Sequence, residues 1–113
     1  MKNKVEALEY VDERGNCPFR DWFDTLDPVS AARAATYLER VVQGNHSNVF
    51  PIGSGLSEIK LNYGPGYRIY FGKEEDYILI LLGGSSKKDQ KKAIDRARNL
   101  WEEHKAVKKQ RRN

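Results

Sequence analysis

The sequence contains a single cysteine, Cys17, and no long hydrophobic run. One thiol excludes an intramolecular disulfide and a metal site built from cysteines, and it is typical of proteins in a reducing compartment. The longest apolar run, Ile78 to Leu82, is far shorter than the roughly 20 residues that span a bilayer. The first ten residues include acids and no apolar stretch of signal-peptide length. We therefore expect a cytoplasmic protein that does not enter a membrane.

Charge is distributed unevenly along the 113 residues, which are enough for one domain with a core. Residues 87–113 contain eleven Lys or Arg against four Asp or Glu, whereas residues 1–86 contain nine against twelve. A basic segment on a mildly acidic body favours a polyanionic partner or an acidic protein partner. A solvated helix face with a frayed tail is the other interpretation. We place a single domain at residues 1–104 and a basic C-terminal tail, expected to be disordered, at 105–113.

Hydrophobic spacing predicts three helices. The first has an apolar stripe at helical spacing, formed by Phe19, Trp22, Phe23 and Leu26. The second begins at Asp27-Pro28, an N-cap acid followed by a proline suited to the first turn, and it ends near Gly44. The third begins near Ser86, where Asp89 three residues later resembles a capping box, and its apolar stripe ends at Trp101.

Alternation with a period of two predicts the strands. A first strand is expected over residues 3–11, a hairpin over 57–63 and 67–72, and a central strand over 77–82. Residues 45–56 are interpreted as a loop because they are rich in Gly, Pro, Ser and Asn. The order β-α-α-β-β-β-α indicates an α+β domain. We expect a small antiparallel sheet with two N-terminal helices packed on it, helices on one side, and a basic C-terminal helix.

The hairpin pattern predicts which side chains share a face. A three-residue loop at Gly64-Pro65-Gly66 pairs Tyr63 with Tyr67 and therefore Lys60 with Tyr70. Side chains alternate across a strand, so one face is apolar and collects Ile59, Leu61, Tyr63, Tyr67, Ile69 and Phe71. The other face is polar and collects Lys60, Asn62, Arg68 and Tyr70.

The polar face is interpreted as an open surface for RNA. Lys and Arg contact phosphate, and Tyr stacks on an unpaired base. Lys87 and Lys88 lie at the first turn of the third helix, where the helix N-terminus itself favours anions. We expect Lys60, Arg68, Lys87 and Lys88 to meet at one phosphate. A polar, wet face without any function is the alternative.

Three stretches carry a family resemblance: GLSE at 55–58, YGPGYRIYF at 63–71, and LLGGS followed by Lys87 and Gln90. Together with the N-terminal strand and helices, they resemble the toxins of the RelE/ParE superfamily of type II toxin–antitoxin modules. The most similar branch is the HigB-like, phage-derived addiction module killer proteins. The resemblance implies helices packed on a twisted antiparallel sheet. It also implies a metal-independent, cofactor-free mRNA endonuclease that acts on the ribosome, inhibits translation and arrests growth.

The resemblance also implies roles for particular residues. Arg68 matches the superfamily's strand arginine and stabilises phosphate charge, and Lys60 matches a catalytic strand lysine that is base or charge stabiliser. Lys87 and Lys88 match a basic position after the last strand. Several RNase members carry Tyr or His early in the last helix, where this chain has Gln90, which orients groups by hydrogen bonding. The RNA-binding candidates are Asn62, Tyr70, Gln90 and Lys91.

The implied partners are the ribosome with its mRNA and a cognate helix-turn-helix antitoxin, which forms a hetero-oligomer with the toxin. Other superfamily members poison DNA gyrase, so a non-catalytic gyrase inhibitor is an alternative function. An inactive module that only binds its antitoxin is a third.

Overall fold

A computed structural model describes residues 4–112. Asn3, at the start of the predicted first strand, and Asn113, at the end of the predicted tail, lie outside the described residues. The elements in chain order are β1 (Glu6–Glu9), α1 (Pro18–Phe23), α2 (Pro28–Val42), β2 (Val49–Gly53), β3 (Leu56–Lys60), β4 (Arg68–Glu74), β5 (Ile78–Ser85) and α3 (Gln90–Arg112).

The five strands form one mixed sheet in the order β1-β5-β4-β3-β2. β1 runs parallel to β5, and the other neighbours are antiparallel. The prediction of a purely antiparallel sheet is therefore wrong. Only β2 to β5 are joined by hairpins, which force antiparallel pairing, whereas β1 reaches the edge of β5 through a long connection that leaves its direction free.

β2 lies in the segment that was predicted to be a loop. It forms an edge of the sheet, with a register irregularity between Pro51 and Gly53. Proline and bulges are tolerated at sheet edges because no further strand needs their backbone groups. The residues that indicated a loop are thus the ones that suit an edge strand, so that prediction is wrong.

α1 and α2 pack on one face of the sheet. The Asp27 side chain caps α2, since it accepts hydrogen bonds from the Ser30 amide at 3.2 Å and the Ser30 hydroxyl at 2.6 Å. This confirms the predicted start of the helix. The buried residues of this face are Phe19, Ala34, Val41, Ile59, Leu61, Ile69, Phe71, Leu79 and Leu81.

α3 covers the opposite face of the sheet. The buried residues there are Leu56, Tyr70, Ile80, Leu82, Ala97, Leu100 and Trp101. The expectation of helices on one side and an open polar face is therefore wrong. β5 is apolar on both faces, so each of its faces needs a cover, and the apolar stripe of α3 provides the second one.

The predicted tail continues α3, which extends to Arg112 as one helix of 23 residues. Glu74 on β4 holds it, with His104 Nε2 at 2.8 Å and Lys108 Nζ at 3.1 Å from its carboxylate. Residues 105–112 are therefore helical rather than a disordered tail, and the contact of Lys108 holds the helix to the sheet at that residue. Within residues 4–112, no helix combines the length and apolar character that crossing a bilayer requires.

The hairpin of β3 and β4 has a longer turn than predicted. Lys60 lies opposite Arg68, and the Leu61 amide donates to the Tyr67 carbonyl at 2.9 Å. The predicted register is wrong by two residues, because Gly64 and Gly66 take left-handed conformations that widen the turn. A shift of two keeps every side chain on its predicted face, so the division into an apolar and a polar set is confirmed for the strands.

Candidate functional site

Arg68 begins β4 and is only 4% exposed. Its Nη1 donates to the Gly66 carbonyl at 2.7 Å, so the hairpin turn holds one side of the guanidinium. Its Nε lies 3.7 Å from Glu58 Oε2 and has no hydrogen-bond partner among the described residues. A guanidinium held in this way makes strong, charge-assisted contacts with an anion that reaches its remaining N–H groups.

Glu58 on β3 is the functional candidate that sequence reasoning missed. It is 8% exposed, and its Oε2 accepts a hydrogen bond from Gln90 Nε2 at 3.2 Å. The signal that identifies it is the alternation of β3, which puts Glu58 on the same face as Lys60 and Arg68. A carboxylate beside a guanidinium therefore joins β3, β4 and the first turn of α3.

Tyr70 is completely buried beneath α3, so it is not on an open surface and does not stack on a base in this structure. The Ser85 hydroxyl donates to the Ser86 carbonyl at 2.9 Å, which leaves the Tyr70 hydroxyl as the donor to Ser85 Oγ, also at 2.9 Å. Burial raises the pKa of Tyr70, and the carboxylate of Glu58 acts in the same direction. Tyr70 is therefore a neutral donor that ties β4 to the end of β5.

The segment before α3 rests on the hairpin turn. The Lys87 amide donates to the Pro65 carbonyl at 3.2 Å, and a Cβ added at Gly66 would lie 3.4 Å from both Lys87 Cβ and Arg68 Nη1. A glycine is needed at this approach, where its φ is +73°. Lys87 is thereby brought next to Arg68, while its own side chain stays exposed.

The remaining predicted residues are exposed. Lys60 faces Arg68 across the β3–β4 pair, which puts their Cβ atoms about 5 Å apart. Lys88 precedes α3 and Lys91 lies in its first turn, and within residues 4–112 neither forms an ion pair with Glu58. Asn62 lies in the turn, where its backbone N–H donates to the Tyr37 hydroxyl at 3.3 Å. The structure thus joins Arg68, Gln90 and Glu58 directly, with Lys60 and Lys87 adjacent.

This arrangement combines a proton acceptor, a buried guanidinium and exposed ammonium groups. Side chains of these types can bind a phosphate and stabilise negative charge that develops on it. Within residues 4–112, no group of three or more His, Cys, Asp or Glu side chains is arranged to hold a metal ion. The chemistry that the cluster itself supplies is acid–base and electrostatic.

Comparison with known proteins gives one informative relationship. No protein-family model matches the chain. An uncharacterized protein of Haemophilus influenzae is 30% identical to it over 86 residues, which are 75% of this chain and 87% of the relative. Since the alignment spans most of both proteins, the chain belongs to the same protein family as this Haemophilus influenzae protein.

Proposed function

We propose that this protein is the toxin of a type II toxin–antitoxin module, has a RelE/ParE-like fold, and cleaves mRNA on the ribosome. The observation that supports this most is the buried pair of Glu58 and Arg68, 3.7 Å apart, with Lys60 and Lys87 beside it. A proton acceptor next to several cations is what attack of a ribose 2′-hydroxyl on the adjacent phosphate requires. Cleavage in the cytoplasm would inhibit translation and arrest growth.

In the proposed reaction, Glu58 accepts the proton of the 2′-hydroxyl while the 2′ oxygen forms a bond to phosphorus. Arg68, with Lys60 and Lys87, stabilises the negative charge that develops on the phosphorane. The bond from phosphorus to the 5′ oxygen then breaks, and that oxygen takes a proton from one of the two ammonium groups. The products are a 2′,3′-cyclic phosphate and a 5′-hydroxyl. The step requires no metal ion and no other cofactor.

The other residues have supporting roles in this proposal. Gln90 orients Glu58 through its hydrogen bond of 3.2 Å. Lys88, Lys91 and Asn62 are exposed near the same end of the molecule and contact the RNA backbone. Phosphate contacts of this kind position the message without reading its sequence.

The test is primer extension on a defined message in a purified translation system. The wild-type protein should produce a ribosome-dependent cut in the A-site codon. Glu58→Gln should slow cleavage about 10²–10⁴-fold, the usual effect of losing a general base. Arg68→Lys, which keeps the buried charge, should slow it about 10²-fold. Arg14→Ala, in an exposed turn, is the matched control and should cut normally.

The 4% exposure of Arg68 favours a second candidate, a toxin that inhibits DNA gyrase by binding and uses no catalytic residue. In that case Arg68 and Glu58 form an internal ion pair that holds α3 to the sheet. An intact message together with loss of gyrase supercoiling would support this function. An intact message with normal supercoiling and normal growth would indicate a module that only binds its antitoxin.

The proposed partner in the cell is a cognate helix-turn-helix antitoxin that forms a hetero-oligomer with the toxin. Co-expression of that antitoxin should restore growth, and the two proteins should co-purify. Growth arrest that persists with the antitoxin bound would contradict this pairing.

A further inference from the structure

β5 is longer than the strand that covers its outer edge. β1 ends at Glu9, which lies opposite Leu81, whereas β5 continues to Ser85. Within residues 4–112, the segment Leu82–Ser85 therefore has a strand neighbour on its β4 side only. A half-paired strand end leaves backbone donors and acceptors that water or another chain must satisfy.

This open edge forms the floor of a groove between α1 and α3, with a volume of about 650 Å³. Gly83 and Gly84 lie in the floor, and the Trp22 ring packs closely on Gly84, where an added Cβ would lie 2.2 Å from its Cε3. A Cβ added at Gly83 would meet nothing within 4 Å, so the sheet face at that residue is open as well. The backbone of another chain therefore has room to approach the edge of β5.

The two walls of the groove differ in chemistry because they belong to opposite faces of the sheet. The α1 wall presents the apolar side chains of Trp22 and Leu26 together with the polar Asp21 and Thr25. The α3 wall presents Lys92 and Arg96, which are four residues apart and so share one side of the helix. Neither cation forms an ion pair with another described residue, and Asp89 is the acid on the same wall.

We propose that this groove binds an extended peptide segment of a protein partner, which adds to β5 as a further strand. Main-chain hydrogen bonds to Leu82–Ser85 provide the pairing, and a nucleic acid has no backbone that matches a strand ladder. Side chains of an added strand point alternately to the two faces, so the segment alternates apolar and acidic residues. The apolar ones contact Trp22 and Leu26, and the acidic ones pair with Lys92 and Arg96.

The length of the edge sets the length of the segment. Four residues at about 3.3 Å each span about 13 Å, so a peptide of four to six residues, roughly, fills the open edge. The proposal does not rest on RNA cleavage, because the groove lies on the other side of β5 from β4, which carries Arg68. Its test contains no RNA chemistry, so the two proposals fail independently.

The test uses amide NMR shifts of the full, isotope-labelled chain. The probe is the acetylated, amidated peptide Val-Glu-Leu-Glu-Val. We expect saturable shifts centred on the amides of Gly83 and Gly84, with a dissociation constant of about 1 mM or tighter. N-methylation of the central amide and its neighbours removes ladder donors, and it should weaken binding about tenfold or more.

Charge reversal provides the second arm. The double variant Lys92→Glu, Arg96→Glu should bind the acidic peptide about tenfold more weakly. It should bind a peptide with Lys in place of Glu more tightly than the wild type does. The matched control makes the same charge change at Lys109 and Arg111, which are exposed at the far end of α3, and should leave binding unchanged.

Three results would overturn the proposal. The first is an absence of shifts at Gly83 and Gly84 with peptide at about 5 mM, well above the expected dissociation constant. The second is equal binding of the N-methylated peptide. The third is a short oligoribonucleotide that shifts these amides while the peptide does not, which would assign the groove to nucleic acid.

Discussion

Replacing Gly84 with alanine tests how tightly α1 is packed on the sheet. A Cβ at this position would lie 2.2 Å from Cε3 and 2.3 Å from Cδ2 of the Trp22 ring. Carbon atoms in contact are normally about 3.5 Å apart or more, so the ring would have to move by about 1.3 Å. The glycine therefore permits the close approach of Trp22, which lines the groove as well as the core.

The expected cost of Gly84→Ala follows from this displacement. Trp22 packs against the Phe19 and Tyr67 rings, with centroids 6.0 and 6.1 Å away, so its movement disturbs neighbours on both sides. Overpacking of this kind costs about 1–3 kcal/mol. For a domain of this size, that corresponds to a fall in melting temperature of roughly 5–12 °C.

The assay is urea unfolding of Gly84→Ala, Trp22→Leu and the double variant, followed by circular dichroism. Each single variant should be destabilised. The double variant should be more stable than the sum of the single effects predicts, by about 1 kcal/mol or more, because leucine vacates the space that the new methyl needs. Strict additivity, or a Gly84→Ala protein as stable as the wild type, would refute the packing argument.

Three further substitutions test individual contacts. Asp27→Ala removes the cap of α2 and should cost about 1 kcal/mol in urea unfolding. Tyr70→Phe removes the hydrogen bond to Ser85 and should cost about 1 kcal/mol without loss of the fold. Burial raises the pKa of Glu74, but hydrogen bonds, first that from His104, outweigh it and hold the pKa below its usual value. Glu74→Gln should therefore lower stability by about 1 kcal/mol at neutral pH, and this difference should shrink as the pH falls below the usual pKa of a glutamate and vanish below the lowered pKa of the native carboxylate.

Local patterns predicted the elements whose boundaries depend on neighbouring residues. Asp27-Pro28 marks the start of α2 because both the cap and the proline act within one turn. The faces of β3 and β4 were also predicted correctly, although their register was not. Alternation depends only on the parity of the pairing, whereas register depends on the width of the turn at Gly64 and Gly66.

The features that were missed depend on tertiary packing. Pro51 indicates a loop unless the strand that contains it lies at an edge, and edge position is not a local property. The polar face of the hairpin is covered because α3 must bury Leu100 and Trp101 against something, and only the folded sheet shows where. Glu58 was missed for the same reason, because its partner Gln90 is distant in sequence and comes near it only when α3 packs on the sheet.

The central claim is that a ribose 2′-hydroxyl attacks the adjacent phosphate of the message, with Glu58 as the proton acceptor. The most direct measurement uses a defined message whose A-site codon carries 2′-deoxy sugars, translated in a purified system beside the all-ribose message. The account predicts a cut in the ribose message, with a cyclic phosphate and a 5′-hydroxyl at the ends, and no cut in the deoxy message. Equal cleavage of both messages, or no cleavage of either, would contradict it.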